Sequence, residues 1–289
     1  MADQDVSYTP EHVSTRDIPP PSTISRSAQQ ALSVAAANPR VAWPPASDEA
    51  AWRSYIATTN AAREPMSATI LAAARAGADP VEIAGVPCFD CLPDAGVSAD
   101  GPVYLFAHGG AFVMGGGSYA AAMGARAASA TGARVVSVDY RMPPDDPFPA
   151  APEDMVAVYK VLLERVDPAR IVVGGASAGG NIAAATVLMI RDRGLPMPAG
   201  VVLLTPEVDL TEAGDSCRTN EDLDVVLKRG LPEANALYAG GHDLRDPYLS
   251  PLFADFTKGY PPTLVQTGTR DLFLSNSVMI HRKLRDAGV

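Results

Sequence analysis

The chain has 289 residues and a formal net charge of −10, with 47% hydrophobic and 19% charged residues. This balance predicts a globular protein with a sizeable core, and the negative charge disfavours nucleic acid or an anionic membrane as a partner. The sequence contains no run of about 18 apolar residues, which a membrane helix needs. It also lacks a basic start followed by an apolar segment, which a secretory signal needs. We therefore expect a cytoplasmic protein.

The first 65 residues predict an N-terminal arm and a helical cap. Residues 1–21 are polar and end in three prolines, which is typical of a loosely held arm. Apolar residues then recur at helical spacing over 25–37 and 47–62. Because two amphipathic helices cannot form a core by themselves, we expect them to cover a core domain formed by residues 66–289.

The core domain is predicted to alternate strands with helices. Apolar and β-branched runs indicate strands, and segments with helical spacing lie between them. This alternation implies an α/β fold with a mostly parallel sheet covered by helices on both faces. The helical stretch near 221–240 is expected to be a cap-like insertion. The predicted strands are 102–107, 134–140, 170–173, 200–204 and 263–267. The predicted helices include 119–131, 151–166, 275–287 and a region over 223–239 that is interrupted by Pro232.

Cys88 and Cys91 form a C-x-x-C pair. A structural zinc site would need a second such pair, and a redox thiol would need a helix N-terminus directly after it. The sequence provides neither. We therefore interpret the two cysteines as side chains of a strand, and we expect neither a metal nor a cofactor.

Residues 170–185 read as a strand, a sharp turn and a helix. The turn spells G-x-S-x-G at 175–179, the nucleophile elbow that holds a serine, here Ser177, out at the carboxyl edge of a sheet. Small residues are needed because this turn strains the serine and brings strand and helix backbones together. The Ala178 amide lies at the helix N-terminus, where N–H groups lack intrahelical partners and can bind an oxyanion. The motif alone is weak, since an ordinary strand-to-helix turn can also contain a serine.

Four motifs together resemble the hormone-sensitive lipase family of α/β-hydrolases. They are HGGA at 108–111, DYR at 139–141, GASAGGN at 175–181 and GTRD at 268–271, in the order and spacing of that family. The resemblance implies an α/β-hydrolase fold with a helical N-terminal cap. It also implies the activity of a bacterial carboxylesterase, with a small-molecule ester of a short-chain carboxylic acid as substrate.

The resemblance implies roles for individual residues. Ser177 would be the nucleophile, and the backbone amides of Gly109, Gly110 and Ala178 would form the oxyanion hole. Asp271, just past the last predicted strand, would be the acid that orients the catalytic imidazole.

Other polar residues near these motifs have different expected roles. Glu207 follows the preceding strand, a position from which α/β-hydrolases can also supply the acid, so it is the alternative to Asp271. Asp209 is expected to be a structural partner of its loop. His108 would tie down the oxyanion loop and would not be the catalytic base.

The catalytic base is missing from its expected place. The family's base is a histidine on a loop after one further strand, and the histidines here are His12, His108, His242 and His281. None of them follows such a strand. We therefore expect a C-terminally incomplete chain that lacks the last strand and the His loop and hydrolyses esters very poorly. Such a chain would expose a sheet edge, which favours a homo-oligomer.

Two other functions compete with the esterase. A non-catalytic protein that binds small molecules on the same scaffold is the alternative, and the missing base favours it. The strained Ser177 beside Gly109, Gly110 and Asp271 favours the enzyme. A dinucleotide site is excluded because the glycines at 174–180 lack a phosphate-binding lysine and a properly spaced acidic residue.

Overall fold

A computed structural model describes residues 17–37, 40, 42–98 and 101–289 of the chain. The chain divides into two compact units, residues 1–39 and residues 40–289. In the described part of the chain, no helix combines the length and the apolar character that a membrane crossing requires.

The first unit contributes one helix, α1, Arg26–Ala36. It begins where the Ser25 side chain accepts a hydrogen bond from the amide of Ala28 at 3.2 Å, a typical N-cap. This agrees with the helix predicted over 25–37. The predicted arm falls mostly on residues 1–16, which lie outside the described residues together with His12.

The second unit opens with a long helix, α2, Glu49–Ala73, capped by Asp48. The predicted helix over 47–62 is therefore too short. Pro65, which commonly ends a helix, lies inside α2, and the good helix formers that follow it continue the helix. Trp52 is fully buried, stacks on Trp43 at 5.8 Å and donates its indole N–H to the carbonyl oxygen of Pro45.

The centre of the second unit is a seven-stranded sheet in the order β1-β2-β4-β3-β5-β6-β7. Strands β3 to β7 are parallel to one another, and β2 is antiparallel to both β1 and β4. A two-residue turn at Ala84 and Gly85, with φ of 55° and 76°, joins β1 to β2. The strands are β1 Asp79–Ile83, β2 Val86–Cys91, β3 Val103–Ala107, β4 Arg134–Val138, β5 Ile171–Ala176, β6 Gly200–Leu204 and β7 Thr263–Gln266.

Helices cover both faces of the sheet, as the alternating pattern predicted. On one face, buried residues of the strands pack with α4 Ala150–Leu163, α5 Ala178–Asp192 and α8 Leu274–Asp286. On the other face they pack with α3 Ser118–Thr131, whose inner side is mostly alanine. Small residues on α3 let it lie close to the sheet: a Cβ at Gly124 would come within 2.7 Å of the Cys91 sulfur.

The segment between β6 and β7 is less helical than predicted. A short helix, α6, covers Ser216–Thr219, and α7 covers only Pro232–Ala239. The predicted helix over 223–239 is therefore wrong for its first half, which consists of turns. Proline favours the first turn of a helix, and α7 begins at Pro232 instead of continuing from residue 223. Short 3₁₀ turns also occur at Pro168–Arg170, Pro251–Phe253 and Phe256–Lys258.

The two cysteines of the C-x-x-C pair and the edge strand β7 were both the subject of sequence predictions. Cys88 and Cys91 are both buried in β2, but they belong to clusters on opposite faces of the sheet, as an odd spacing in a strand requires. Strand β7 is at the edge of the sheet, and its Leu264 is 60% exposed. The homo-oligomer suggested by such an edge stays a prediction.

Candidate active site

Ser177 lies at the junction of β5 and α5, where the sequence predicted a nucleophile elbow. Its backbone has φ 56° and ψ −123°, a conformation that costs a residue with a side chain about 1–3 kcal/mol. Its neighbours from Ile182 to Ile190 on α5 are fully or almost fully buried, whereas Ser177 is partly exposed. The turn thus presents this one hydroxyl at the carboxyl edge of the sheet.

The glycines of the elbow are required by close backbone contacts. A Cβ at Gly175 would lie 2.4 Å from the carbonyl oxygen of Gly179, and one at Gly179 would lie 2.1 Å from that of Ala107. Such distances are far below van der Waals contact. The motif therefore lets β3, β5 and the start of α5 meet at one point, directly behind Ser177.

The loop after β3 approaches the same point. A Cβ at Gly109 would be 3.0 Å from the carbonyl oxygen of Ala176 and 3.5 Å from the Cβ of Ser177. Gly110 has φ 148°, and a Cβ there would be only 1.8 Å from the carbonyl oxygen of Met114. Gly109 therefore lets the loop pass close to the serine, and Gly110 lets the loop fold back on Met114.

Three backbone amides near Ser177 are unpaired. Within the part of the chain that the structure describes, no acceptor bonds to the N–H of Gly109, Gly110 or Ala178. The Ala178 amide also lies in the first turn of α5, at the positive end of the helix dipole. Unpaired N–H groups beside a partly exposed hydroxyl can stabilise a negative oxygen.

His108 is fully buried in the base of this loop. Its Nδ1 lies 3.0 Å from the carbonyl oxygen of Gly109, to which it donates as Nδ1–H, and its ring stacks on Tyr140 at 4.2 Å. Burial lowers the pKa of His108, so the ring is neutral. The Tyr140 hydroxyl donates to the carbonyl oxygen of His108 at 2.7 Å. These contacts fix the loop, and among the described residues no hydrogen bond joins the His108 imidazole to Ser177.

Two further side chains hold the far end of the loop. Asp139 accepts a hydrogen bond from the amide of Gly117 at 3.0 Å, and Asn60 on α2 accepts one from the amide of Gly115 at 3.2 Å. Asp139 and Tyr140 of the DYR motif therefore support the loop. Its third member, Arg141, instead forms an ion pair with the buried Asp154 of α4.

Asp271 lies after β7, at the same edge of the sheet as Ser177. One carboxylate oxygen accepts from the amide of Phe273 at 2.8 Å, and the other accepts from the hydroxyl of Thr267 at 2.9 Å. Burial raises the pKa of Asp271. Strands β5 and β7 are two positions apart in the sheet, so their ends are separated by about 10 Å.

Glu207 is completely buried after β6. Its Oε1 accepts from the side-chain amide of Asn235 at 2.8 Å, and its backbone amide faces the carbonyl oxygen of Ser177 at 3.4 Å. Burial, and then the nearby Glu212, raise the pKa of Glu207 well above its ordinary value. Asp209 accepts from both the amide and the hydroxyl of Thr211, which makes it a partner of its own loop.

Three asparagines from three helices hold the loop 207–210, and sequence reasoning missed their role. Asn181 on α5 donates to the carbonyl oxygen of Glu207 at 2.7 Å, and Asn276 on α8 accepts from the amide of Asp209 at 2.7 Å. Asn235 on α7 donates to the Glu207 carboxyl. Only Asn181, within the GASAGGN motif, had a signal in the sequence.

None of the described histidines serves as a partner of Ser177. His242 is exposed and lies edge-on to Phe148 at 5.2 Å, and His281 is exposed on α8. Across residues 17–37, 40, 42–98 and 101–289, no side chain forms a hydrogen bond with the Ser177 hydroxyl, and no three His, Cys, Asp or Glu residues cluster as metal ligands.

The fold and this site define an α/β-hydrolase, and comparison with known proteins agrees. A family model described as alpha/beta hydrolase fold matches residues 104–289. An esterase of Acinetobacter venetianus is 33% identical over 213 residues, which cover 73% of this chain and 69% of that protein. The chain therefore belongs to the α/β-hydrolase family.

Within that family the chain groups with the esterases of the hormone-sensitive lipase type, as its motifs predicted. A solved esterase of the bacterial hormone-sensitive lipase family matches with a TM-score of 0.80 and 31% identity, over 92% of this chain and 86% of that one. The acetyl-hydrolase of Streptomyces hygroscopicus is 36% identical over 191 residues, which are 65% of this chain and 64% of that protein. The chain thus spans a little under two thirds of this relative. The relatives described here are named as esterases and as an acetyl-hydrolase.

Proposed function

We propose that this chain is a serine carboxylesterase that hydrolyses short-chain carboxylic esters through an acyl-enzyme on Ser177. The observation that carries the proposal is the set of three unpaired amides, at Gly109, Gly110 and Ala178, around a partly exposed serine. A turn with φ 56° at Ser177 is costly, and a purely structural serine would not need it.

In the proposed reaction the Ser177 Oγ attacks the carbonyl carbon of the ester and loses its proton to a base. The carbonyl oxygen becomes negative and accepts hydrogen bonds from the three amides. When the intermediate collapses, the C–O bond to the alcohol breaks and the alcohol leaves with the proton. Water then attacks the acyl group on Ser177 and releases the carboxylic acid.

We assign the orienting acid to Asp271 in preference to Glu207. Asp271 has a carboxylate whose two oxygens each accept one hydrogen bond, which leaves lone pairs for an imidazole. Glu207 has no exposed surface, and its carboxyl is directed to Asn235.

The base is proposed to be an imidazole from outside the described residues. His108 is buried in the loop, and the exposed His242 and His281 form no hydrogen bond with Ser177. Without a base among the described residues, hydrolysis should be slow, with only the roughly 10³–10⁴-fold acceleration that an oxyanion hole and binding supply. Free imidazole in solution can act as a general base, so it should raise this rate.

The experiment is hydrolysis of 4-nitrophenyl butyrate with and without imidazole. We expect imidazole to raise the rate in wild type and to add nothing beyond its own background in Ser177→Ala. Ser54→Ala, which removes an exposed hydroxyl on α2, is the matched control and should behave as wild type. Equal rates for wild type and Ser177→Ala would refute the proposal.

The preference for short chains is tested separately. A faster rate with the octanoate ester than with the butyrate ester would refute only this preference, which the name of the Streptomyces acetyl-hydrolase supports.

A non-catalytic small-molecule binder is the second candidate, because no described histidine contacts Ser177. In that case a butyrate ester would bind without being turned over. Saturable binding by equilibrium dialysis, combined with no Ser177-dependent hydrolysis in imidazole, would favour this function over the esterase.

A further inference from the structure

Glu207 and Asn235 make one hydrogen bond and leave one atom each without a partner. The Asn235 amide nitrogen donates to Glu207 Oε1 at 2.8 Å. Glu207 Oε2 and Asn235 Oδ1 are both buried, and neither has a partner among the described residues. A buried polar atom without a partner costs about 1–3 kcal/mol, so two on the same pair of side chains call for an explanation.

A proton on Glu207 Oε2 would give a hydrogen-bond partner to both of these atoms. Carboxylate and amide oxygens both accept hydrogen bonds and cannot bond to each other. A carboxylic acid, in contrast, can donate from Oε2 to Asn235 Oδ1 while Oε1 accepts from the amide nitrogen. The planar acid and the planar amide then form two parallel hydrogen bonds.

The charges around Glu207 also favour the acid form. Glu212 reaches the same Asn235 amide nitrogen at 3.3 Å, and Asp209 is two residues away in the same loop. Glu207 itself has no exposed surface. An ionised Glu207 would therefore be a fully buried negative charge beside the partly buried carboxyl group of Glu212. The other titratable groups that act on this cluster are Cys217 on α6, whose pKa burial raises to about 12, and Arg229 and Glu233, which act on Glu212.

The Glu207–Asn235 pair connects the turn that contains Ser177 with α7 and the oxyanion loop. On one side, the Glu207 amide faces the Ser177 carbonyl oxygen at 3.4 Å. On the other, Asn235 belongs to α7, which packs with Trp52 and the oxyanion-loop residues in one buried cluster. Tyr238 of α7 also stacks on Phe112 of that loop at 4.3 Å.

We propose that Glu207 is a positioning residue that, as an un-ionised acid doubly bonded to Asn235, holds α7 and the oxyanion loop in register with Ser177. This inference rests on the proposed esterase function for its catalytic consequence. Its structural part, the protonated acid, can be tested without activity.

The test compares Glu207→Gln with Glu207→Met at several pH values. Gln can accept through Oε1 and donate through Nε2, so it reproduces both hydrogen bonds of the acid, whereas Met fills the space and makes neither. With imidazole present, we expect Glu207→Met to lower kcat for 4-nitrophenyl butyrate about tenfold, with KM changed less than about twofold. Glu207→Gln should restore most of this loss. A Gln variant as impaired as the Met variant would overturn the proposal.

The second readout is the pH dependence of unfolding. Because the pKa of Glu207 is raised in the folded chain from an ordinary 4.5, its contribution to stability is full below that value and is lost as the pH rises towards the folded pKa. Because Gln cannot ionise, the free energy of unfolding of Glu207→Gln should fall less between pH 5 and 9 than that of wild type. Ser177→Ala should show the same fall as wild type. Equal pH dependence in wild type and Glu207→Gln would mean that Glu207 is ionised. If Ser177→Ala lost no activity, the esterase proposal would fail, yet the unfolding curves would still decide the state of Glu207.

Discussion

Gly109 lies directly against Ser177: a Cβ at Gly109 would be 3.5 Å from the serine Cβ and 3.0 Å from the carbonyl oxygen of Ala176. These two residues are 68 positions apart in the sequence. They meet because β3 and β5 are neighbouring parallel strands that end at the same edge of the sheet. The amide that follows one strand and the hydroxyl that follows the other can then act on the oxygen and the carbon of one substrate carbonyl group.

Gly109→Ala should reduce hydrolysis while the chain still folds. The added methyl would press on the Ala176 carbonyl, and the loop would have to shift by a few tenths of an ångström. Loss of one oxyanion donor typically lowers kcat about 10²–10³-fold, and a displaced donor should approach the lower figure. Imidazole-supported hydrolysis of 4-nitrophenyl butyrate measures the effect.

Gly77→Ala is the control for that substitution, because a Cβ there meets nothing within 4 Å and its backbone is not in the left-handed region. It should leave both rate and stability unchanged. If Gly109→Ala were as active as Gly77→Ala, the Gly109 amide would not be an oxyanion donor.

Trp52→Ala should destabilise the second unit and impair the site together. Trp52 is fully buried and shares a cluster with Ala111, Val113 and Met114 of the oxyanion loop. Removing such a side chain costs about 3–5 kcal/mol, which urea unfolding would measure. The exposed neighbour Arg53 pairs with Asp145 at the surface, so Arg53→Ala should have little effect. Similar midpoints for the two variants would contradict the packing role of Trp52.

His108 should make the chain sensitive to mild acid. Its pKa is lowered in the folded chain from an ordinary 6.5 because burial disfavours the charged ring. Its contribution to stability is therefore full above 6.5 and is lost as the pH falls. The loss continues as the pH falls from 6.5 towards the pKa of His108 in the folded chain. His108→Asn, which keeps a donor for the Gly109 carbonyl, should show a shallower slope between pH 6.5 and 5. An unchanged slope would mean that His108 is not buried in its neutral form.

Asp271→Asn should lower the hydrolysis that imidazole supports. Asn can still accept from the Phe273 amide, but it lacks the negative charge that stabilises an imidazolium. We expect a loss of about tenfold, far less than the 10⁴-fold of a fixed triad, because free imidazole can reorient. Asp224→Asn is the matched control, since Asp224 accepts from the amide of the next residue, Leu272. Equal losses in both variants would argue against a special role for Asp271.

The sequence predicted the fold well because its signals were local and repeated. Most strands from β3 to β7 are short and mainly apolar runs, and the elbow turn depends on close backbone contacts that only glycine permits at Gly175 and Gly179. The α/β architecture and the family resemblance, which rest on these signals, are confirmed. Pro65 and Pro232 were harder to interpret, because proline can lie within a long helix as well as at the start of one.

The parts of the site that depend on long-range contacts could not be predicted. Asn235 and Asn276 come from helices far apart in the sequence, and neither belongs to a motif. Their meeting at loop 207–210 follows from the packing of α7 and α8, which periodicity does not specify. The pKa of Glu207 likewise depends on burial and on the nearby Glu212, and both arise only when the chain has folded. The expected C-terminal shortening stays a prediction.

The most direct test of the central claim is to map where a fluorophosphonate attaches to the chain. The protein is treated with the reagent in buffer containing imidazole, digested, and analysed by mass spectrometry. We expect one phosphonyl group per chain, on the peptide that contains Ser177, and none on Ser177→Ala. Attachment elsewhere, or no attachment to wild type under conditions that label a known serine esterase, would contradict the account.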